Sequence, residues 1–244
     1  EEGFQGEIAR SYGDRTVLAT DNSIYQRLPQ AAVFPRNALD VETLARLVAR
    51  PEFRSVVLTP RGGGTGTNGQ SLTEGVVVDL SRHMNSILEI NVEERWVRVQ
   101  SGVVKDQLNA ALKPHGLFFA PELSTSNRAT IGGMINTDAS GQGSCTYGKT
   151  RDHVMALSTI LLGGDRLDSS LLERECWWAE SARTDRVGDV YRCASDIVRN
   201  HADLIQRTFP KLNRCLTGYD LAHLHEPNDR FNLNSVLCGS EGSL

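Results

Sequence analysis

Apolar positions change their period several times along the chain. Ala32, Val33 and Phe34, ahead of Pro35, read as a short strand. Asp40 stands where a helix cap would, and Val41, Leu44, Leu47 and Val48 share one face, which predicts a helix over 40–50. Strands are expected over 55–59 and 76–80, the second on three consecutive valines whose β-branched side chains favour extended backbone. Residues 87–90 and 96–100 suggest a further β pair. There Val97 and Val99 alternate with Trp96, Arg98 and Gln100, so one face is expected to be buried. Val104, Leu108, Ala111 and Leu112 predict a helix over 104–112 that Pro114 and Gly116 end. The run 154–162 is short, contains β-branched residues and stops at Gly163 and Gly164, so it reads as a strand.

Residues 1–30 look polar and irregular, and 166–188 look like a surface excursion. Within that excursion, packing of Trp177 and Trp178 over a lobe edge is favoured over a partner patch. From Val190 to Phe209 the pattern is a long amphipathic helix. Its stripe of Tyr191, Ala194, Ile197, Val198, His201, Leu204 and Ile205 is expected in the core, with His201 a half-buried structural histidine. Residues 121–148 lack apolar periodicity and are rich in Gly, Ser, Thr and Asn. Loops of that length inside a compact domain are usually functional, and Ile131, Met134 and Ile135 can pin this one to a core.

A chain of 244 residues can bury a sizeable core in one large domain or two small lobes. Its 39% apolar and 23% charged content are those of an ordinary globular protein. With a net charge of −4 and no basic stripe, no nucleic-acid partner is expected. No run approaches the roughly twenty apolar residues of a membrane span, and no signal-peptide pattern opens the chain. Cys145, Cys176, Cys193, Cys215 and Cys238 are odd in number with no close pair. They suggest neither a disulfide framework nor a zinc or iron–sulphur site, and a reducing, cytoplasmic setting is expected. His223 and His225 are the close histidine pair; without a third ligand, a structural or surface role is expected. The opening without methionine and the close on GSEGSL are expected of a piece of a longer protein.

The chemistry concentrates in glycine-rich stretches. PRGGGTGTNG, residues 60–69, lacks side chains where successive peptide N–H groups could turn toward one anion, and its threonines add donors. Gly64, Gly66 and Gly69 match the dinucleotide fingerprint, but that fingerprint needs a helix after it, and here the valine strand follows. Residues 143–150, GSCTYGKT, match the P-loop pattern letter for letter. A P-loop needs a buried strand before it and a helix after it, whereas this stretch has polar residues before and a strand-like run after. A nucleotide hydrolase using Gly143 through Thr150 is the competing reading.

The ordered motifs PRGGGTGTNG, VVVDLSRHMNSI, VQSGV, PELSTSNRATIGGMINTDASG, YGKTRDHV, LLGGD, GYDL and GSEGSL resemble the FAD-binding domain of the p-cresol methylhydroxylase and vanillyl-alcohol oxidase type. Within that family the chain is most similar to large bacterial FAD-linked oxidoreductases that act on D-2-hydroxyglutarate. The resemblance runs from Asp21 to Leu244 and implies an α+β fold of two lobes with the flavin between them. The organisation expected is an N-terminal extension over 1–30, a first FAD-binding lobe over 31–90 and a second over 91–244.

By motif, the resemblance places Arg61, Gly62, Gly63, Gly64, Thr65, Gly66 and Thr67 around the pyrophosphate. Pro121, Ser124 and Thr125 would flank the flavin ring. Thr130, Gly132, Gly133 and Asn136 would line the phosphate and ribitol side, with Ala139, Ser140, Gly141, Tyr147 and Gly148 beside them. Glu241 and Gly242 would close over the cofactor from the last loop. Some relatives hold FAD covalently through a histidine in the first loop; Gly64, Thr65 and Gly66 offer no such side chain, so a noncovalent FAD is expected. Residues 226–234 look like an insertion relative to shorter relatives. The implied reaction is hydride transfer from the α-carbon of a D-2-hydroxy acid to flavin N5. The family's substrate lobe, with its metal ligands, and any iron–sulphur cluster would lie further on. This stretch therefore names no catalytic residue, no metal ligand and no electron acceptor.

Overall fold

The computed structural model describes residues 3–212 and 218–243. Glu1, Glu2, Cys215 and Leu244, all of which enter the sequence reading, lie outside the described residues. The chain divides into two compact units, Glu1–Met134 with Leu162–Gly164, and Ile135–Leu161 with Asp165–Leu244. The first unit retains residues 91–134, which the expected boundary at residue 90 assigns to the second lobe.

The first unit is built on strands β1 (Glu7–Ala9), β2 (Ala31–Phe34), β3 (Leu58–Arg61) and β4 (Val76–Asp79), in the order β1-β2-β4-β3. β1 runs antiparallel to β2, while β2 and β3 flank β4 in parallel. Alternation along the strands serves both faces of the sheet. Val33 and Val78 pack with Leu44 of helix α2 (Ala38–Val48), and Ala32, Phe34 and Val77 pack with Leu18.

Residues 1–30 are thus not irregular. They supply β1, helix α1 (Tyr12–Val17) and the buried Leu18 and Ala19, although β1 is too short to carry a local signal. Two boundaries also shift. Asn37 caps α2 by accepting from the Asp40 amide, while Asp40 is buried in the first turn and accepts from the Gln5 and Arg36 amides at 2.7 and 2.8 Å. β3 begins at Leu58 and runs directly into the first glycine loop.

Strands β5 (Ile87–Asn91) and β6 (Trp96–Val99) form a bulged antiparallel hairpin, on which Val97 and Val99 are half-buried rather than fully covered. Helix α3 (Lys105–Leu112) buries Leu108 and Leu112, and Gly116, at φ +67°, ends its 3-10 extension. The chain passes from the first unit to the second within helix α4 (Ile131–Asn136), whose Ile131 and Met134 are buried.

The second unit contains helix α5 (Ser144–Tyr147), strands β7 (Ala156–Ile160) and β8 (Arg166–Leu172), helices α6 (Arg174–Ala182) and α7 (Arg186–Thr208), strands β9 (His225–Glu226) and β10 (Arg230–Asn232), and helix α8 (Asn234–Leu237). Its antiparallel sheet has the order β7-β8-β10-β9. Its core joins Leu167, Trp177, Val187, Tyr191, Leu224, Phe231 and Leu233.

Two expectations are corrected here. Residues 166–188 are a strand and a helix facing the core, not an excursion. Trp177 stacks on Phe231 at 5.2 Å and donates to the Asp229 carbonyl, whereas Trp178 is half exposed beneath Arg174. Residues 226–234, whatever their counterpart in shorter relatives, are part of the fold: β10 sits inside the sheet and Phe231 is buried. The α7 stripe is covered through Tyr191 and Ala194 and partly through Val198. The backbone leaves helical geometry at His201, and His201 and Leu204 are exposed. A periodic stripe needs a covering partner, and beyond His201 the described residues leave Ile205 only half-buried.

Candidate functional site

In the first unit, β3 and β4 are adjacent and parallel, yet residues 62–75 join them without a helix. The dinucleotide fingerprint therefore lacks the helix N-terminus that gives it meaning. The loop's glycines are explained by close packing against the chain itself. A Cβ on Gly62 would meet Thr130 Oγ1 at 2.1 Å, one on Gly63 the Arg128 carbonyl oxygen at 2.0 Å, and one on Gly132 the Ser101 Cβ at 2.7 Å. Gly64 and Gly69 have φ of +61° and +77°. The missing side chains thus let residues 62–63 pack on 128–130, and residue 132 on Ser101.

That packing leaves the loop's main-chain donors available. Among the described residues, none of the consecutive N–H groups of 62–67 meets a protein acceptor. These residues are half-buried or exposed, so a ligand can reach them. Beside them lies an open cleft of about 320 Å³ lined in part by Gly63, Ser81, Asn85, Gln107, Arg128 and Thr130.

The Arg61 guanidinium is directed elsewhere. It donates to the Thr20 carbonyl at 2.8 Å and the Leu18 carbonyl at 3.4 Å, anchoring the N-terminal segment, and burial lowers its pKa. Among the ring candidates, Pro121 is buried, Ser124 exposed and Thr125 half-buried. The Thr125 carbonyl accepts from the Arg128 and Ala129 amides, which holds this loop in a tight turn. Thr130 is buried, and its Oγ1 accepts from the Gly133 amide.

In the second unit, Asn136 receives the last loop. Its carbonyl accepts from the Glu241 amide at 2.7 Å, its Oδ1 accepts from Ser240 Oγ, and the Ile135 carbonyl accepts from the Gly239 amide. Glu241 and Gly242 both have positive φ. Residues 105 positions apart, Asn136 and Glu241, are thereby joined. Ala139, Ser140 and Gly141 open a second donor run, because the N–H groups of 139–143 also meet no protein acceptor among the described residues. Tyr147 is exposed, and its carbonyl contacts His153 Nε2 at 2.7 Å. Gly148 has φ +81°, and a side chain there would strike Asp152.

The P-loop reading fails on its lysine and its context. Lys149 is buried and forms an ion pair with buried Asp138, and Thr150–His153 form a 3-10 turn leading to β7, not an α-helix. Arg151 also contacts Asp138 and pairs with the fully buried Asp220, whose carboxylate holds His223. Sequence reasoning misses this network because the partners of Lys149 and Arg151 are 11 to 69 positions away with no shared spacing rule. His225 pairs separately with Asp229, so the two histidines do not converge. Among the described residues no cluster of His, Cys, Asp and Glu is arranged to hold a metal, and no helix is long and apolar enough to cross a membrane.

Comparison with known proteins agrees with this geometry. The family of the FAD binding domain matches residues 29–170. The chain is 72% identical to the D-2-hydroxyglutarate dehydrogenase of Pseudomonas putida and 57% identical to that of Escherichia coli K12. These alignments cover 99% and 100% of this chain and 24% of each relative. The glycolate oxidase subunit GlcD of Bacillus subtilis is 39% identical over 58% of this chain and 30% of its own length. The chain thus spans about a quarter of the length of the curated dehydrogenases it matches.

Among solved structures, 6-hydroxy-D-nicotine oxidase from Arthrobacter nicotinovorans aligns with TM-score 0.61 at 22% identity, covering 70% of this chain and 37% of that one. Physcomitrella patens BBE-like 1 aligns with TM-score 0.61 at 18% identity, covering 69% and 36%. At such identities the likeness concerns the fold alone. Fold, glycine loops and family match converge: the chain belongs to the FAD-binding domain family.

Proposed function

We propose that this chain is the FAD-binding portion of an FAD-linked dehydrogenase that oxidises a D-2-hydroxy acid, D-2-hydroxyglutarate, to the 2-oxo acid. The observation that carries the reading is the pair of N–H runs at 62–67 and 139–143 that meet no acceptor among the described residues, since a diphosphate and a polar ribityl chain are rich in acceptors. In this reading the first run, with Thr65 and Thr67, holds the diphosphate, and Gly62, Gly63 and Gly132 keep the loops close enough to do so. Pro121, Ser124 and Thr125 take the flavin ring. Thr130, Gly133, Asn136, Ala139, Ser140, Gly141, Tyr147, Gly148, Glu241 and Gly242 supply the remaining contacts. Arg61 serves by fixing the N-terminal segment.

The loop 62–69 contains no histidine or cysteine, which supports noncovalent binding. When bound, FAD supplies the hydride acceptor. The two compact units are read as the two FAD-binding lobes. Contacts to the hydroxy acid, the electron acceptor and any iron–sulphur cluster are assigned to the other three quarters of proteins like the matched dehydrogenases. A nucleotide-binding protein of the cytoplasm fits the cysteine usage.

Visible absorption and FAD titration of the purified chain test the reading. Flavin bands and saturable binding are expected; a colourless chain that takes up no FAD would overturn it. Anaerobic D-2-hydroxyglutarate should leave the flavin of this chain oxidised and bleach that of the longer protein. Bleaching by the chain alone would move the substrate site into these residues.

A further inference from the structure

The P-loop-like tripeptide Lys149, Thr150 and Arg151 packs along residues 138 and 139, one contact after another. Lys149 Nζ pairs with the Asp138 carboxylate. Thr150 donates twice to the Ala139 carbonyl, from its amide at 3.1 Å and from Oγ1 at 2.7 Å. Arg151 returns to Asp138, its amide donating to Oδ1 at 3.0 Å and its Nε lying 3.4 Å from Oδ2. Asp138, Lys149 and Thr150 are all at least nine-tenths buried. Asp138 is held at φ +43°, a left-handed conformation that a residue with a side chain adopts only under constraint from its surroundings. The constraint continues through Arg151 to the fully buried Asp220.

Residue 139 is where the second N–H run begins, and its direction is set by the backbone angles at 138 and 139. We propose that Lys149, Thr150 and Arg151 are positioning residues for FAD: without touching it, they aim the donors of 139–143. The inference rests on the FAD reading above. It assigns the match to the nucleotide-hydrolase pattern a different role, that of a brace behind a flavin loop. The observation least expected of a merely structural lysine and threonine is that the Lys149 ammonium, the Thr150 amide and hydroxyl and the Arg151 amide all end on two consecutive residues, one in left-handed backbone, directly before the donor run.

Thr150→Val is the cleanest probe. It keeps shape and the amide bond and removes only the Oγ1 bond to Ala139. Thr150→Ser, which retains the hydroxyl, is its rescue. FAD affinity of each is measured by quenching of flavin fluorescence, beside the melting temperature of the FAD-free chain and the fine structure of the bound flavin's visible band. The expected result is about tenfold weaker FAD binding and a blurred visible band in Thr150→Val, with near wild-type behaviour in Thr150→Ser. Should Thr150→Val fail to fold, Thr150→Ala against Thr150→Ser gives the same comparison. FAD affinity and spectrum equal to wild type in a variant lacking the hydroxyl, whatever its melting temperature, would overturn the proposal. Absence of FAD binding by the wild-type chain would instead refute the underlying reading.

Discussion

Gly63→Ala isolates the contact on which the first donor run depends. Gly63 does not have positive φ, so alanine there avoids the left-handed region, and its cost is steric. The new Cβ would lie 2.0 Å from the Arg128 carbonyl oxygen, a main-chain atom that cannot rotate aside. To reach even 3.0 Å, the short edge of real contacts, the two segments must part by about 1 Å. Overpacking of this kind costs about 1–3 kcal/mol of stability, and the entropy removed from the unfolded chain returns about 0.4–1 kcal/mol.

The effect on FAD should be larger. A displacement of about 1 Å takes a hydrogen bond of ordinary length out of range. Bonds to a charged phosphate are worth about 1.5–3 kcal/mol each. Losing two at the lower value is about 3 kcal/mol, or about 150-fold in Kd. Fluorescence titration with FAD and thermal unfolding by circular dichroism measure the two effects separately. Gly13→Ala is the control: its Cβ would be 3.9 Å from Ser11 Oγ, so FAD affinity should not change and melting should stay the same or rise slightly, since alanine favours helix α1. Wild-type affinity and melting in Gly63→Ala would refute the view that close approach to Arg128 shapes the donor loop.

Lys149→Met should lower stability, by less than the roughly 3–5 kcal/mol of a fully unpaired buried charge, because it leaves the buried Asp138 carboxylate with Arg151 as its remaining cation, and denaturant unfolding should show Asp138→Asn restoring part of the loss. Calorimetry with magnesium and ATP should detect no binding to the wild-type chain that this variant abolishes. Trp177→Ala should cost about 3–5 kcal/mol in the same unfolding measurement and Trp178→Ala much less, because only the first fills the core. Burial pushes the Cys238 thiol up to about 12, so in a Cys215→Ser background a thiol reagent at neutral pH should modify Cys145, Cys176 and Cys193 and reach Cys238 only on unfolding. The same shift favours the protonated native state. Its contribution to stability is complete below a pH of about 9 and is lost as the pH rises toward about 12.

Much of this protein is legible in its residues. Val76, Val77 and Val78 announce β4, Leu44 and Val48 announce the inner face of α2, and the glycine loop announces a donor-rich turn. Each signal is local, carried by steric preferences within one or two turns of chain. What the glycines are for was only partly readable. Permissive backbone is evident in the sequence, but that Gly63 makes room for Arg128 depends on a segment 65 positions away.

Tertiary structure alone decides between neighbours of the same type. Trp177 and Trp178 are equivalent in sequence, and the packing of α6 against Phe231 buries one of them. The α7 stripe continues past Val198, yet the helix breaks at His201, and His201 and Leu204 stay exposed, because periodicity states which face could be buried and not whether anything covers it. Lys149 shows the same division most sharply. Its local pattern is that of a phosphate-binding lysine, but chain closure brings Asp138 and, through Arg151, Asp220 beside it. The electrostatics of a buried cation are set by such neighbours and not by its motif.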